Sequence, residues 1–212
     1  MIGKRNIFNT SSSLVLIDEG HGNNTPDKRS PIWENGTQLF EWEFNRFVGD
    51  SFTKLLNLGK ISNIKILTEI EDISLPERKE RIMKLYTEYK DKYFVYLVSI
   101  HGNDFHLESV NGIEVFTSHE NDDSDWIADV YLKSLSKLGR KMRYDESDGD
   151  LDKEANFSIL RTICPSILTE NGFYTNEKEC AYMMSLQGRN EISYRHYEAA
   201  KTIELNLTLL NK

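Results

Sequence analysis

The chain of 212 residues has two cysteines, four prolines and five histidines, and no excess of positive charge. Each shortage removes a class of explanation. Cys164 and Cys180 are too few for a disulfide framework or a thiolate metal centre, and their apolar surroundings predict buried, inert thiols. Lysine and arginine number 26 against 34 aspartates and glutamates, a formal charge of −8. With aromatic residues spread through apolar segments and no basic interleaving, a nucleic-acid footprint is excluded, as is an electrostatic pull toward anionic membranes. No run approaches the ~18 apolar residues of a membrane span, and Lys4 and Arg5 have no apolar segment behind them. The expectation is one domain over residues 1–212, with residues 1–12 a loose lead-in, no export signal and no membrane insertion.

What is present is an alternation of strand-like and helix-like patterns. Leu14-Val15-Leu16-Ile17 is a short β-branched run of the buried-strand kind. The stretch from Gly20 to Gly36 carries two prolines, three glycines and three asparagines, and reads as a long loop at a strand end, where function concentrates. Apolar residues then recur at Phe40, Phe44, Phe47, Val48, Phe52, Leu55 and Leu56, predicting a helix that stops near Gly59. Ile64–Thr68 reads as a second strand. Pro76 beside Glu77 suits a helix start, with Ile82, Leu85, Tyr86 and Tyr89 on the apolar face.

Phe94–Ile100 is the most apolar strand and the expected centre of a sheet, and Gly112–Thr117 alternates as another. Trp126, Ile127, Val130, Tyr131, Leu135 and Leu138 form the next helical stripe, with the acidic run Glu120–Asp125 reading as its N-terminal cap region. Arg143–Glu154, crowded with Asp, Glu and Gly, reads as a solvated loop. Two short apolar runs follow, Phe157–Leu160 and Ser166–Leu168, and then helices from about Glu177 and Ile192. The alternation predicts an α/β domain: a mostly parallel or mixed central sheet of about six strands with helices on both faces.

Three of the apolar runs end on residues with metal or acid–base chemistry: Leu14–Asp18 runs into His21, Phe94–Ile100 into His101, and Ser166–Thr169 into Glu170. In an open α/β sheet the carboxyl ends of neighbouring strands meet in one crevice, so such residues converge. Two imidazoles and a carboxylate make a catalytic zinc set, and a spare carboxylate makes its base. Each residue also has a plainer reading. His21 suits a surface loop, and His101 a hydrogen-bonded structural histidine behind a buried strand. Glu41 and Glu43, on different faces of the first helix, both suit its N-terminal dipole. Glu170 follows an apolar strand, where desolvation raises a carboxyl pKa toward the range of a general base. His106 and His119 read as loop histidines, and His196 as a residue outside the chemistry.

Order and context join these residues. Asp18 with Gly20-His21-Gly22, Glu41 with Asn45, Ser99-Ile100-His101 with Asn103, and Pro165 with Glu170, Gly172-Phe173 and Asn176 resemble the four signatures of the zinc-dependent N-acetylmuramoyl-L-alanine amidases called amidase 3. The resemblance runs from about Leu14 to the last helix. It implies one zinc ion held by His21, Glu41 and His101, with Glu41 preferred to Glu43, and Glu170 as catalytic base. Asn103 would hold a ligand or substrate by a hydrogen bond. The implied substrate is peptidoglycan, cut between the lactyl group of muramic acid and L-alanine of the stem peptide.

The sequence departs from the pattern at Glu19, where proline is usual, at Asn171, where a small or apolar residue is usual, and at Glu69, which replaces an arginine after Leu67-Thr68. Asp72, Leu75, Glu77 and Arg78 match a further element of the family that does not touch the chemistry. Two alternatives are a zinc peptidase cutting another stem-peptide amide and a non-catalytic wall-binding or regulatory module. The expected setting is synthesis in the cytoplasm and action at the cell wall as a monomer, of endolysin type, or export under a signal absent from the chain.

Overall fold

The structure, a computed structural model, describes residues 10–119, 123–147 and 149–210. Most of the expected lead-in, residues 1–9, and residues 120–122 of the acidic run lie outside the described residues. The strands are β1 (Ser13–Glu19), β2 (Ser62–Lys65), β3 (Phe94–Asn103), β4 (Glu114–Thr117), β5 (Lys153–Glu154) and β6 (Ser166–Phe173). They form one sheet in the order β2-β1-β3-β6-β4-β5. The first four in that order run parallel, while β4 is antiparallel to β6 and β5 parallel to β4, so the sheet is mixed. Its most apolar strand, β3, is central, as the sequence predicts.

Alternation along the strands sends side chains to two covered faces, which is why these strands read as continuous apolar runs. Val15, Ile17, Tyr96, Val98 and Ile100 pack on one face against α1 (Glu41–Leu58), α3 (Asp123–Leu135) and α5 (Leu186–Leu210). Leu14, Leu16, Val95, Leu97 and Leu168 pack on the other against Ile82 and Leu85 of α2 (Leu75–Tyr89). In α1 the stripe Phe44, Val48, Phe52, Leu56 falls at four-residue spacing and is fully buried. Each such side chain contributes roughly 1.5–3 kcal/mol by leaving water. The remaining helix, α4 (Glu177–Met184), is capped by Asn176, whose side chain accepts from Glu179 N.

Several boundaries differ from the pattern. β3 continues three residues past the apolar run, and β6 runs to Phe173, so His101 and Glu170 lie inside strands. β2 ends at Lys65, before the expected Ile66–Thr68. Phe157–Leu160 forms a short 3-10 turn over Ser158–Leu160, whose Ile159 and Leu160 seal the α2 side of the core. α5 starts at Leu186, six residues ahead of Ile192, because its first turn carries little apolar signal. The acidic stretch Arg143–Glu154 is not wholly solvated: Asp152 is completely buried and β5 closes the sheet edge.

Candidate active site

The carboxyl ends of β1 and β3 lie side by side, in the register Glu19↔Ile100, and carry the two imidazoles. His21, with φ +67, sits in the left-handed region, a conformation that costs a non-glycine residue energy and turns the chain sharply out of β1. Gly20 is needed beside it, because a Cβ there would overlap the His101 ring. The two rings meet edge to face at 5.0 Å between centroids.

Glu41 arrives from the other side, as the first residue of α1. The long loop after β1 folds back on itself to deliver it: Ser30 N donates to Leu39 O at 2.9 Å, and Glu41 N to Lys28 O at 3.0 Å. Glu41 is 1% exposed. Its Oε1 lies 2.9 Å from His101 Nδ1 and 3.4 Å from His21 Nε2, and accepts from Gly102 N at 3.2 Å. Its Oε2 is buried without a hydrogen-bond partner among the described residues. Burial pushes the Glu41 carboxyl up, but hydrogen bonds with His101 and then His21 outweigh it and hold the group well below the usual carboxylate range. Glu43 is exposed on the surface of α1.

Glu170 stands directly across from His101 in the β3–β6 register and across from Glu114 in β4. It is almost fully buried, and its Oε2 meets no hydrogen-bond donor among the described residues. Burial first, then the charges of Glu41 and Glu114, raise its pKa well above the ordinary carboxyl value. Glu114 is itself tied to Asn103 Nδ2 at 2.7 Å, Arg143 Nε at 2.7 Å and Lys153 Nζ at 2.6 Å. His106 and His119 are exposed.

Two supports were not legible in the sequence. Arg78 of α2, whose motif seemed remote from the chemistry, donates from Nη1 to Asp18 Oδ1 at 2.6 Å and to the Glu19 carbonyl at 3.2 Å, while Nη2 pairs with Asp72. Asp72 in turn accepts from Thr25 Oγ1 at 2.6 Å, so this buried network clamps the His21 loop to β1 and α2. Glu69, the replacement for an arginine, pairs with Arg81 at 2.7 Å, which keeps an ion pair there.

The second support is Asn171. Its Nδ2 donates to the His101 carbonyl at 3.0 Å and to the Thr169 carbonyl at 3.2 Å, which leaves Oδ1 facing His196 Nε2 at 3.0 Å. His196 Nε2 is therefore the donor, and burial pushes the pKa of this imidazole from 6.5 down to about 3. Unfolded, the ring takes a proton below roughly pH 6.5; folded, it refuses one until about 3, so stability falls as pH drops through that window. Between pH 7 and pH 5 the protein is expected to lose about 2 kcal/mol more unfolding free energy than the His196→Gln variant. Urea unfolding at the two pH values checks this; equal losses in both proteins would contradict it.

Ligand atoms of His21, Glu41 and His101 all lie within 4.8 Å of one another. Two imidazole nitrogens and a carboxylate oxygen are the donor set of a catalytic zinc centre, and Oε2 of Glu41 is an acceptor that meets no donor among the described residues, so the residues fit such an ion. A nearby carboxylate of raised proton affinity completes an arrangement suited to hydrolysis.

Comparison with known proteins agrees. A family model described as N-acetylmuramoyl-L-alanine amidase, amidase 3, matches residues 15–202. The catalytic domain of CwlV, an N-acetylmuramoyl-L-alanine amidase from Bacillus (Paenibacillus) polymyxa var. colistinus, superposes with a TM-score of 0.72 at 23% identity, over 92% of this chain and 99% of that one. The N-acetylmuramoyl-L-alanine amidase of Clostridium difficile 630 gives 0.74 at 24% identity, over 92% and 98%. The catalytic domain of the CD27L endolysin, which targets Clostridia difficile, gives 0.64 at 16% identity, over 90% and 97%. At these identities the structures share the fold. No curated protein matches the sequence significantly.

Proposed function

The chain belongs to the amidase 3 family of N-acetylmuramoyl-L-alanine amidases, and on that premise we propose that His21, Glu41 and His101 hold one zinc ion beside Glu170, the general base. The protein is a hydrolase of peptidoglycan by its family. The observation that supports this assignment of roles is the convergence of the three ligand atoms within 4.8 Å, from three separate elements, with Glu170 across the sheet from His101.

When bound, zinc supplies Lewis acidity toward a water molecule and toward the scissile amide carbonyl. The nitrogens that face Glu41, His21 Nε2 and His101 Nδ1, are the ones positioned to donate to the ion. Gly102 N–H and Asn45 Nδ2, at 3.2 and 3.4 Å from Glu41 Oε1, hold the carboxylate in orientation. Glu170 takes the proton of the attacking water and returns it to the departing nitrogen of alanine. Its raised proton affinity matches both halves of that task, since a carboxyl of ordinary pKa is a weak base near neutrality. The substrate sets the site of action at the cell wall, reached after synthesis in the cytoplasm by release or by export.

Two measurements test this reading. Metal analysis of the purified protein is expected to give about one zinc per chain, and chelation to abolish lysis until zinc is restored. Mass analysis of digested peptidoglycan is expected to show intact stem peptides released from lactyl groups. Fragments cut inside the stem would contradict the assigned bond.

A further inference from the structure

The two acidic stretches that read as a helix cap and a solvated loop meet in space. Asp125, in the first turn of α3, and Asp150 and Asp152, just ahead of β5, bring one carboxylate oxygen each within 4.8 Å of one another. The meeting point is far from the chemistry. Because β4 is antiparallel to β6, in the register Glu114↔Glu170 and Phe116↔Leu168, its last residue Thr117 lies at the end of the sheet opposite Glu170. Thr117 Oγ1 donates to Asp152 Oδ2 at 2.6 Å.

Asp152 carries the argument. Its side chain is 0% exposed, and Oδ1 is buried with no hydrogen-bond donor among the described residues. A carboxylate taken out of water costs several kcal/mol unless it is paired, and one threonine hydroxyl satisfies only one of its oxygens. Burial, and after it the charges of Asp150 and Asp125, push its pKa up to about 7. We propose that Asp125, Asp150 and Asp152 form a second metal site, for a hard divalent cation, calcium, that fastens the chain at Asp150 and Asp152 to β4 and α3.

The chemistry selects the ion. All three donors are carboxylate oxygens, a set that suits calcium or magnesium and not the nitrogen- and sulfur-preferring zinc. Calcium–oxygen bonds of about 2.3–2.6 Å put ligands on opposite sides of the ion roughly 4.6–5.2 Å apart, and oxygens that all lie within 4.8 Å of one another can share one such shell. Magnesium gives up its water reluctantly and is held through one or two carboxylates, so a set of three favours calcium. Lys153, next to Asp152, is one of the cations on Glu114, so the clamp also steadies the neighbour of Glu170.

Calorimetric titration of calcium chloride into the full chain, already saturated with zinc, tests the site. One saturable calcium site is expected, with a rise in Tm when calcium is present. Asp150→Asn and Asp152→Asn are each expected to weaken binding at least about ten-fold and to remove the Tm rise. Asp150 is partly exposed, so its variant carries the test even if Asp152→Asn fails to fold. Absence of saturable uptake up to about 1 mM calcium, the weak end of protein calcium sites, would overturn the proposal. So would undiminished binding in Asp150→Asn.

Discussion

Replacing Glu170 by glutamine is expected to lower the rate of peptidoglycan hydrolysis by about 10²–10⁴-fold while zinc content stays unchanged. The side chain keeps its shape and loses only its capacity to accept a proton. The variant is also expected to fold at least as well as the parent. In the native protein burial and the charges of Glu41 and Glu114 oppose ionisation of Glu170, so at neutral pH its charged form costs stability that the amide does not. Lost activity could not then be assigned to unfolding, which thermal denaturation would verify. Retention of more than about a tenth of the parent rate in a folded, zinc-loaded variant would remove Glu170 from the role of base.

The second large effect belongs to a residue that touches no reacting atom. Arg78→Met is expected to destabilise the fold by about 3–5 kcal/mol, because it leaves the buried carboxylate of Asp18, and with it Asp72, without their shared cation. That is a large part of the total stability of a domain and corresponds to a fall in Tm of roughly 6–20 °C. The loop carrying His21 hangs on the same network through Asp72 and Thr25, so zinc affinity should fall with stability. Adding Asp18→Asn to Arg78→Met should recover part of the loss, since it removes the orphaned charge, and a double-mutant cycle measures the coupling. A single variant with a loss below about 1 kcal/mol would show that the pair is not what secures the loop.

Much of the architecture could be read from pattern alone. The runs at Leu14, Phe94 and Ser166 are continuously apolar, as strands buried on both faces are, and the stripe from Phe44 to Leu56 has the four-residue spacing of a helix on its core. Boundaries were less legible, because β3 and β6 extend beyond their apolar runs through His101–Asn103 and Glu170–Phe173. Polar residues hold those extensions together: Asn171 bonds the His101 carbonyl and His196, contacts made across 70 and 25 residues of chain that no local pattern announces. The departures at Glu69 and Asn171 follow the same logic, each being matched by a partner, Arg81 or His196, that is visible only in three dimensions.

The sequence by itself determined the fold class, the family and the residue types of the site, because hydrophobic periodicity and the order of motifs are properties of the chain. The resemblance preferred Glu41 to Glu43, but local pattern alone did not separate them, since both carboxylates lie at the same helix terminus. Tertiary structure sets their surroundings apart: the loop from Gly20 to Gly36 places α1 so that Glu41 is buried beside the two imidazoles and Glu43 is left in water. It also decided that Asp152, one acid among many in a stretch that reads as solvated, is fully buried opposite Thr117. Burial and charge proximity are sums over residues distant in sequence, and those sums exist only once the sheet has brought the segments together.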